Sequence, residues 1–401
     1  MKSHVLTAAA LLAAGVLCQP AVASHPHDAP PPVQATPAPQ GASATDLVLL
    51  LDTSNSMDGL IDQAKRQLWS VVRQYAGTTR DGELANLRVS VFEYGNSGLP
   101  ATENYIRQVV PLTSDLDAVS AALFALTTNG GDEYCGAVID AALDRLDWAP
   151  HDGAYRTIFI AGNEPFTQGP TAYESVCREA LGKGVIVNTI HCGDASEGRN
   201  GHWTAGAEFG GGRAFNIDQD RHVPVIRCPQ DARLIELGDA LNGTYLWYGD
   251  AQTRGYFAEN QLMQDDNADK LGAAAERASI KSSSNAYSNV GRDLVDSYAA
   301  DNDVLGELDE SELPEEMQAM TPEERVAHIK ALTEQREQLK AEIAKLSAER
   351  AEFLAAEQAK LAEQGQATLG DAVSSAVREQ LEDNGFVVNA PTTRPTTRPG
   401  E

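Results

Sequence analysis

Residues 46–57 read Asp46-Leu-Val-Leu-Leu-Leu-Asp52-Thr-Ser54-Asn-Ser56-Met57. An unbroken apolar run of this length is typical of a strand that is buried on both faces, as in a parallel sheet. Asp52 would then end the strand, and Ser54 and Ser56 would lie on the loop that follows it. In open α/β sheets, ligands bind at this carboxyl edge.

The side chains of this loop offer only oxygen donors. Oxygen suits hard cations, and Mg²⁺ in particular prefers an octahedron in which several waters are retained. In the alternative interpretation, Asp52 caps the following helix and the two serines bond to loop amides. We favour a cation site formed by Asp52, Ser54 and Ser56, with Mg²⁺ as the ion and Mn²⁺ or Ca²⁺ as alternatives.

The loop resembles the first metal-binding loop of von Willebrand factor type A (VWA) domains, the Asp-x-Ser-x-Ser of the metal-ion-dependent adhesion site (MIDAS). The order of the later predicted elements fits the same family over residues 45–250. The resemblance implies a doubly wound, mostly parallel sheet with helices on both faces. It also implies metal-dependent binding of a protein partner, whose Asp or Glu carboxylate would complete the coordination of the ion.

Apolar periodicity independently predicts alternating strands and helices beyond the first loop. Predicted strands cover residues 87–94, 105–112, 156–161, 185–191 and 210–217. Predicted helices cover residues 60–75, 115–126, 137–146, 172–183 and 231–241. This alternation indicates an α/β sheet with an antiparallel edge.

The second loop departs from the usual family pattern. It reads Gly130-Gly-Asp132-Glu-Tyr-Cys-Gly136, where many family members have Gly-Gly-Thr. The resemblance makes Asp132 the matching ligand, and a carboxylate there would add negative charge. Capping of the next helix by Asp132 is the alternative and is compatible with ligation. Thr127 and Thr128 are further possible donors.

The third loop departs more strongly. It reads Gly162-Asn163-Glu164-Pro165, where the family usually has Thr-Asp-Gly. A glycine thus occupies the slot of the usual acid, and the acid is displaced to Glu164. Glu164 or Asn163 would reach the ion through water, or else shape the loop. The two altered loops together resemble an exported bacterial branch of the family.

The first residues are those of a secretory signal. Residues 1–23 carry Lys2, an apolar run and Ala21-Val22-Ala23, which indicates cleavage after Ala23. The run is too short for a membrane anchor, and the residues before Cys18 are a poor match to a lipidation signal. Residues 24–44 form a linker rich in Pro and Ala. We therefore expect an exported protein, periplasmic or extracellular, without a membrane span.

Removal of the signal leaves Cys135, Cys177, Cys192 and Cys228. An even number of cysteines in an exported chain indicates two disulfides, although the sequence allows three pairings. We favour Cys135–Cys177 and Cys192–Cys228. No Cys-x-x-Cys is present, so a zinc site is not expected.

The net charge of the chain argues against nucleic acids and anionic lipids as partners. The chain has a formal net charge of −27. Nucleic acids and anionic lipids require basic patches. We therefore expect binding to neither.

The C-terminal third is predicted to be a helical, acidic arm over residues 251–385, followed by an unstructured tail over 386–401. Thr321-Pro322-Glu323-Glu324 is a helix start, and the helix should run to about residue 362. An apolar line repeats every seven residues at Leu332, Leu339, Leu346 and Phe353. The companion line is Ile329, Arg336, Ile343 and Arg350, so half of a coiled-coil seam is missing. The helix is either a weak homodimer seam or packed against its own chain, which we favour slightly.

Two other functions compete with metal-dependent protein binding. A metal-dependent hydrolase needs a general base or nucleophile beside the ion, and the loops nominate only Glu164, His191 or His202. No Gly-x-Ser-x-Gly, Walker A or His-Glu-x-x-His motif is present, so we do not expect an enzyme. A scaffold that acts through the C-terminal helices, with a degenerate metal site, is the remaining alternative.

Overall fold

The computed structural model describes residues 33–39, 41, 43–57, 61, 65, 69, 71–75, 78–150, 153–217, 226–283, 286–363 and 369–388. The predicted signal at residues 1–23, most of the linker and residues 389–401 of the predicted tail lie outside this range.

The strands follow the predicted positions closely. They are β1 (Ala44–Asp52), β2 (Thr78–Arg80), β3 (Glu83–Leu84), β4 (Asn86–Tyr94), β5 (Ile106–Thr113), β6 (Tyr155–Gly162), β7 (Ile186–Cys192), β8 (Gly211–Ile217) and β9 (Val387–Val388). The larger sheet has the order β5-β4-β1-β6-β7-β8, and the smaller sheet has the order β3-β2-β9. Only β5 runs antiparallel within the larger sheet, which confirms the predicted mostly parallel sheet with an antiparallel edge.

The helices are α1 (Leu116–Ala125), α2 (Cys135–Arg145), α3 (Tyr173–Gly182), α4 (Ala195–Asn200), α5 (Trp203–Phe209), α6 (Asp231–Asn242), α7 (Ala251–Lys270), α8 (Ala274–Lys281), α9 (Leu294–Ala300), α10 (Val304–Glu307), α11 (Glu315–Gln318), α12 (Pro322–Glu363) and α13 (Leu369–Asp383). Ile61, Lys65, Trp69 and residues 71–75 are helical as well. No helix of the described segments combines the length and the apolar character that a membrane crossing needs.

Strand β1 lies at the centre of the sheet and is buried on both faces. Leu47 and Leu51 pack into one apolar core together with Trp69 and residues of α1. Val48 and Leu50 pack into the other, against α2 and α3. Alternate side chains of a strand point to opposite faces, so an unbroken apolar run is what two helical layers require.

The long helix α12 packs against its own chain along the companion line. Ile329 and Ile343 are fully buried, and Arg336 is only 2% exposed. Arg336 Nη1 donates to Asp293 Oδ2 at 2.7 Å and to Asp296 Oδ1 at 2.6 Å. Arg350 Nε donates to Asp231 Oδ1 at 2.7 Å. The arginines that interrupt the apolar line therefore ion-pair with the rest of the chain.

The chain returns to the larger sheet after α12. Val377 and Leu381 of α13 are buried in the core that contains Leu47, and Gln380 Nε2 donates to Asn188 Oδ1 at 2.8 Å. Strand β9 then pairs with β2, inside the range predicted to be unstructured.

The predicted disulfides are absent. Cys135, Cys177, Cys192 and Cys228 are all free and buried, so the pairings Cys135–Cys177 and Cys192–Cys228 are wrong for this structure. Cys135 and Cys177 belong to the core on one face of the sheet and Cys192 to the core on the other face. The thiols pack as small apolar side chains, and burial raises the pKa of Cys177 to about 12.

Candidate metal centre

Asp52 is the innermost acid of the site. It ends β1 and is 0% exposed. Its Oδ1 accepts a hydrogen bond from the Ser54 backbone N–H at 2.8 Å, while its Oδ2 has no hydrogen-bond partner among the described residues. Burial, followed by the nearby charge of Glu164, raises the pKa of Asp52 to about 6 against the hydrogen bonds from Ser54. A buried acceptor without a partner costs about 1–3 kcal/mol, so this oxygen is suited to a bound cation.

The two serines lie on the loop after β1, where the sequence predicts them: Ser56 is within a 3-10 turn at Asn55–Met57, and Ser54 immediately precedes it. Ser54 Oγ and Ser56 Oγ are 3.1 Å apart. Asn163 Nδ2 donates to Ser56 Oγ at 3.0 Å, and Asn163 Oδ1 is buried without a partner among the described residues. The first and third loops are thus joined directly, and they bring a second unpartnered oxygen to the site.

The second loop brings Glu133 to Asp52. A Cβ built on Gly95 would lie 2.7 Å from Glu133 Cγ and 2.8 Å from Asp52 Oδ1, so these two side chains border the same small space. Glu133 is 8% exposed. Burial, followed by the charges of Asp52 and Glu164, raises its pKa to about 7. Glu133 is therefore a site residue that the sequence did not predict.

Asp132 lies on the outside of the same loop. It is exposed, and its Oδ2 accepts a hydrogen bond from Tyr134 Oη at 3.3 Å. Helix α2 has Tyr134 as its N-cap, without a side-chain capping bond. Thr127 is exposed as well, and its backbone carbonyl accepts from Asn96 Nδ2 at 3.0 Å. The resemblance to Gly-Gly-Thr predicted Asp132 as the ligand of the second loop. In the sequence, the only indication of Glu133 as a site residue is that it directly follows Asp132.

Tyr94 gives a steric reason for the altered third loop. A Cβ built on Gly162 would lie 2.5 Å from Tyr94 Oη and 3.2 Å from Asp52 Oδ2. The Tyr94 hydroxyl is held in place because it donates to the Ala161 carbonyl at 3.0 Å. A side chain at residue 162 would clash with it, so the usual acid of this slot has no room.

Glu164 is the acid of the third loop, displaced from the position that it usually has in the family. It is half-buried, and its Oε2 accepts from Gln168 Nε2 at 3.1 Å. Trp203 Nε1 donates to the Glu164 backbone carbonyl at 2.9 Å. The carboxylate is close enough to contribute to the raised pKa of Asp52.

The two histidines support the loops. His191 Nε2 donates to the Asn163 carbonyl at 3.2 Å, and its Nδ1 lies 2.9 Å from Asn216 Oδ1. His202 Nδ1 lies 3.0 Å from Tyr173 Oη. The ring of His191 therefore holds the backbone of the third loop beside Ser56.

The donor set suits a hard divalent cation. Within the described part of the chain, no three His, Cys, Asp or Glu side chains form a metal-binding group by themselves. An ion at Asp52 would therefore need the hydroxyls of Ser54 and Ser56 and the amide oxygen of Asn163 as well. Carboxylate, hydroxyl and amide oxygens are the ligands that Mg²⁺, Mn²⁺ and Ca²⁺ accept.

Comparison with known proteins agrees with this architecture. The family model of the von Willebrand factor type A domain matches residues 46–203. A search of curated proteins finds no match. Residues 46–203 thus have the VWA fold, and the C-terminal helices lie beyond the matched range.

Solved structures similar to this chain include BatB from Bacteroides thetaiotaomicron, with 18% identity over 43% of this chain and 90% of that chain and a TM-score of 0.33. Proximal thread matrix protein 1 from the mussel byssus, with a zinc-occupied MIDAS motif, has 15% identity over 44% of this chain and 42% of that chain and a TM-score of 0.33. The manganese-loaded TRAP protein of Plasmodium vivax has 17% identity over 45% of this chain and 70% of that chain and a TM-score of 0.31.

Proposed function

We propose that this chain is an exported protein whose VWA domain binds a protein partner through a divalent ion held at the carboxyl edge of the sheet. The observation that carries the proposal is the pair of buried oxygens, Asp52 Oδ2 and Asn163 Oδ1, that lack hydrogen-bond partners among the described residues. Both lie at the end of the central strands, where open α/β sheets bind ligands.

In this proposal Asp52, Ser54 and Ser56 hold the ion, and Asn163 and Glu164 approach it from the third loop, Glu164 through water. Glu133 takes the ligand role that the resemblance assigned to Asp132, since Glu133 is the one beside Asp52. Mg²⁺ is the expected ion, with Mn²⁺ and Ca²⁺ as alternatives. The bound ion supplies a positive charge that a partner's oxygen can meet.

Export rests on the sequence of residues 1–23. Lys2, the apolar run from Val5 to Leu17 and Ala21-Val22-Ala23 have the composition and order of a cleaved secretory signal. The protein would then act in the periplasm or outside the cell. Edman sequencing of the exported protein would test this, because cleavage after Ala23 leaves Ser24 as the first residue.

Isothermal titration of Mg²⁺, Mn²⁺ and Ca²⁺ tests the metal site. We expect one saturable site in the full chain and a loss of at least about tenfold in affinity in Asp52→Asn, because that variant removes the buried ligand charge. Glu208→Gln is the matched control, since it removes one charge from an exposed position on α5. Equal binding by wild type and Asp52→Asn would overturn the proposal.

A further inference from the structure

We propose that a cavity at the edge of the larger sheet where the parallel strands begin is a binding site for a small organic carboxylate, with Arg156 as its main cation. Arg156 lies near the start of β6, whereas Asp52 ends the neighbouring parallel strand β1. The cavity and the candidate metal centre are therefore at opposite edges of the sheet, and this inference stands independently of the proposed function.

The cavity has the size of a small-molecule site. Its volume is about 530 Å³, within the range of about 300–1,000 Å³ that is usual for such sites. Its wall combines β2, the segments that lead into β6 and β7, and the C-terminal end of α13. The lining includes Arg80, Arg156, Gly184, Asp383 and Gly385.

Arg156 is a buried cation without a counter-charge. It is 7% exposed, and it forms no ion pair with a described Asp or Glu. Its Nη1 donates to the Ala149 carbonyl at 3.4 Å, and its Nη2 donates to the Lys183 carbonyl. Its Nε is buried and has no acceptor among the described residues. Two neutral carbonyls are thus the described acceptors of a guanidinium that has five N–H donors.

The other buried arginines of the described segments each contact a carboxylate. These pairs are Arg88 with Asp46, Arg277 with Asp117, Arg336 with Asp293 and Arg350 with Asp231. Asp46 is the acid whose charge acts on Arg156, but its two oxygens already accept from Arg88 at 2.9 and 2.8 Å. A buried charge without a partner costs free energy, so an uncompensated cation in the wall of a cavity indicates an anionic ligand.

Arg80 brings a second guanidinium to the same cavity. Its Nη1 donates to the Gly153 carbonyl, and its Cζ lies 5.3 Å from the ring centroid of Phe386. A Cβ built on Gly385 would lie 3.9 Å from both Nε and Nη2 of Arg80, so a larger side chain there would lie against this guanidinium. The fold therefore fixes two guanidinium groups around one space.

The charge of the lining favours a singly charged ligand. Asp383 is the acid among the described lining residues, so Arg80 and Arg156 leave one excess positive charge. The planar guanidinium matches the two oxygens of a carboxylate. The net charge of −27 disfavours a multiply charged anion such as phosphate more than a monoanion. A monocarboxylate is thus the ligand that fits both the cavity and the chain.

The test is an NMR titration of the ¹⁵N-labelled full chain at constant ionic strength. Butyrate is the probe, butyramide is its neutral counterpart of similar shape, and inorganic phosphate is the multiply charged alternative. We expect butyrate to bind saturably and to shift the amide signals of Gly153, Gly184 and Gly385. Butyramide and phosphate should bind at least about tenfold more weakly.

Two substitutions in the lining should change the affinity for butyrate in opposite directions. Arg156→Gln should weaken binding at least about tenfold, whereas Arg199→Gln, which removes an exposed charge on α4, should change it little. Asp383→Asn should strengthen binding severalfold, because it removes an exposed carboxylate from the lining. Asp239→Asn, at an exposed position on α6, is its control, and this pair decides the matter if Arg156→Gln does not fold.

Several results would overturn the inference. They are no saturable shift of the three glycine signals by butyrate, an equal shift by butyramide, and tighter binding of phosphate than of butyrate. An unchanged affinity in folded Arg156→Gln, or an affinity of Asp383→Asn no higher than that of Asp239→Asn, would overturn it as well.

Discussion

Asp52 and Glu133 are acids held in surroundings that disfavour their charge. Asp52 has a pKa of about 6 instead of 3.8, and Glu133 has a pKa of about 7 instead of 4.5, chiefly because both are buried. A folded state that holds a proton more tightly than the unfolded chain loses stability as the pH rises from the unfolded pKa to the folded pKa. Without a metal, the two ionised acids therefore lower the free energy of unfolding at neutral pH.

In EDTA, we expect the free energy of unfolding to fall by on the order of 2 kcal/mol between pH 5 and pH 7.5 on account of these two acids. Both ionise in the folded state within that window, while in the unfolded chain they are already largely ionised. Urea denaturation at each pH would measure the fall. The double variant Asp52→Asn, Glu133→Gln should abolish it, and an unchanged slope in that variant would contradict this account.

The close approach of Gly162 to Tyr94 predicts how substitutions at these two residues change stability. Gly162→Ala should destabilise the fold by about 1–3 kcal/mol, since the new Cβ would lie 2.5 Å from Tyr94 Oη. Tyr94→Phe removes the hydroxyl and its bond to Ala161, at a cost of about 1 kcal/mol. Urea denaturation should show that the double variant loses less unfolding free energy than the two single variants lose when their losses are added. Additive losses would show that the hydroxyl does not limit residue 162.

Among the elements, α12 shows that a helix whose apolar heptad pattern is interrupted by charged residues can still pack fully against its own chain. Arg336 and Arg350 interrupt its apolar line. In the sequence alone, this pattern indicates an incomplete coiled-coil seam. The structure pairs both arginines with acids of the same chain, and Arg336 also lies 4.4 Å from the Tyr245 ring centroid. The seam is thus completed within one chain by charge as well as by apolar contact.

Arg336→Ala should destabilise the packing of α12 by about 3–5 kcal/mol, because Asp293 is 0% exposed and would keep a buried, unpaired charge. Lys330→Ala, at an exposed position of the same helix, is the control and should change stability by less than about 0.5 kcal/mol. Hydrogen exchange of α12 amides would localise the effect. Equal protection in the two variants would show that the ion pair does not hold the helix.

A homodimer through the same helix is the alternative that the sequence left open, and it is a separate question. Leu339 and Leu346 pack partly against the core that contains Leu234 and Ile343. A double Leu339→Asp, Leu346→Asp variant should therefore lower the stability of the monomer. Static light scattering of wild type and variant would test the dimer, since a dimer seam along this line predicts a halved mass in the variant.

At the scale of the whole molecule, the C-terminal region is part of the sheet's packing. Phe386 is 3% exposed and shares a core with Val377, Leu381 and residues of β1. The chain thus closes the core of the larger sheet with residues far along the sequence.

Deletion of residues 369–401 should lower the melting temperature of the whole protein, because it uncovers buried apolar side chains of the larger sheet. Deletion of residues 389–401 alone leaves Val377, Leu381, Phe386 and the pairing of β9 with β2 in place, and it should change the melting temperature little. Calorimetry and dye binding to exposed apolar surface would compare the two. Equal melting temperatures would show that α13 is dispensable.

The sequence by itself determined the alternating strands and helices, the position of Asp52 at the end of the central strand and the hydroxyls of Ser54 and Ser56. These follow from local patterns, because burial repeats with the period of each element and an apolar run ends where the chain meets solvent. The tertiary structure alone decided that Glu133 rather than Asp132 borders Asp52, that Tyr94 fills the space beside Gly162, that the cysteines stay free and that Arg336 finds Asp293. Each of these depends on how side chains from distant segments share one space, and residue spacing carries no information about that.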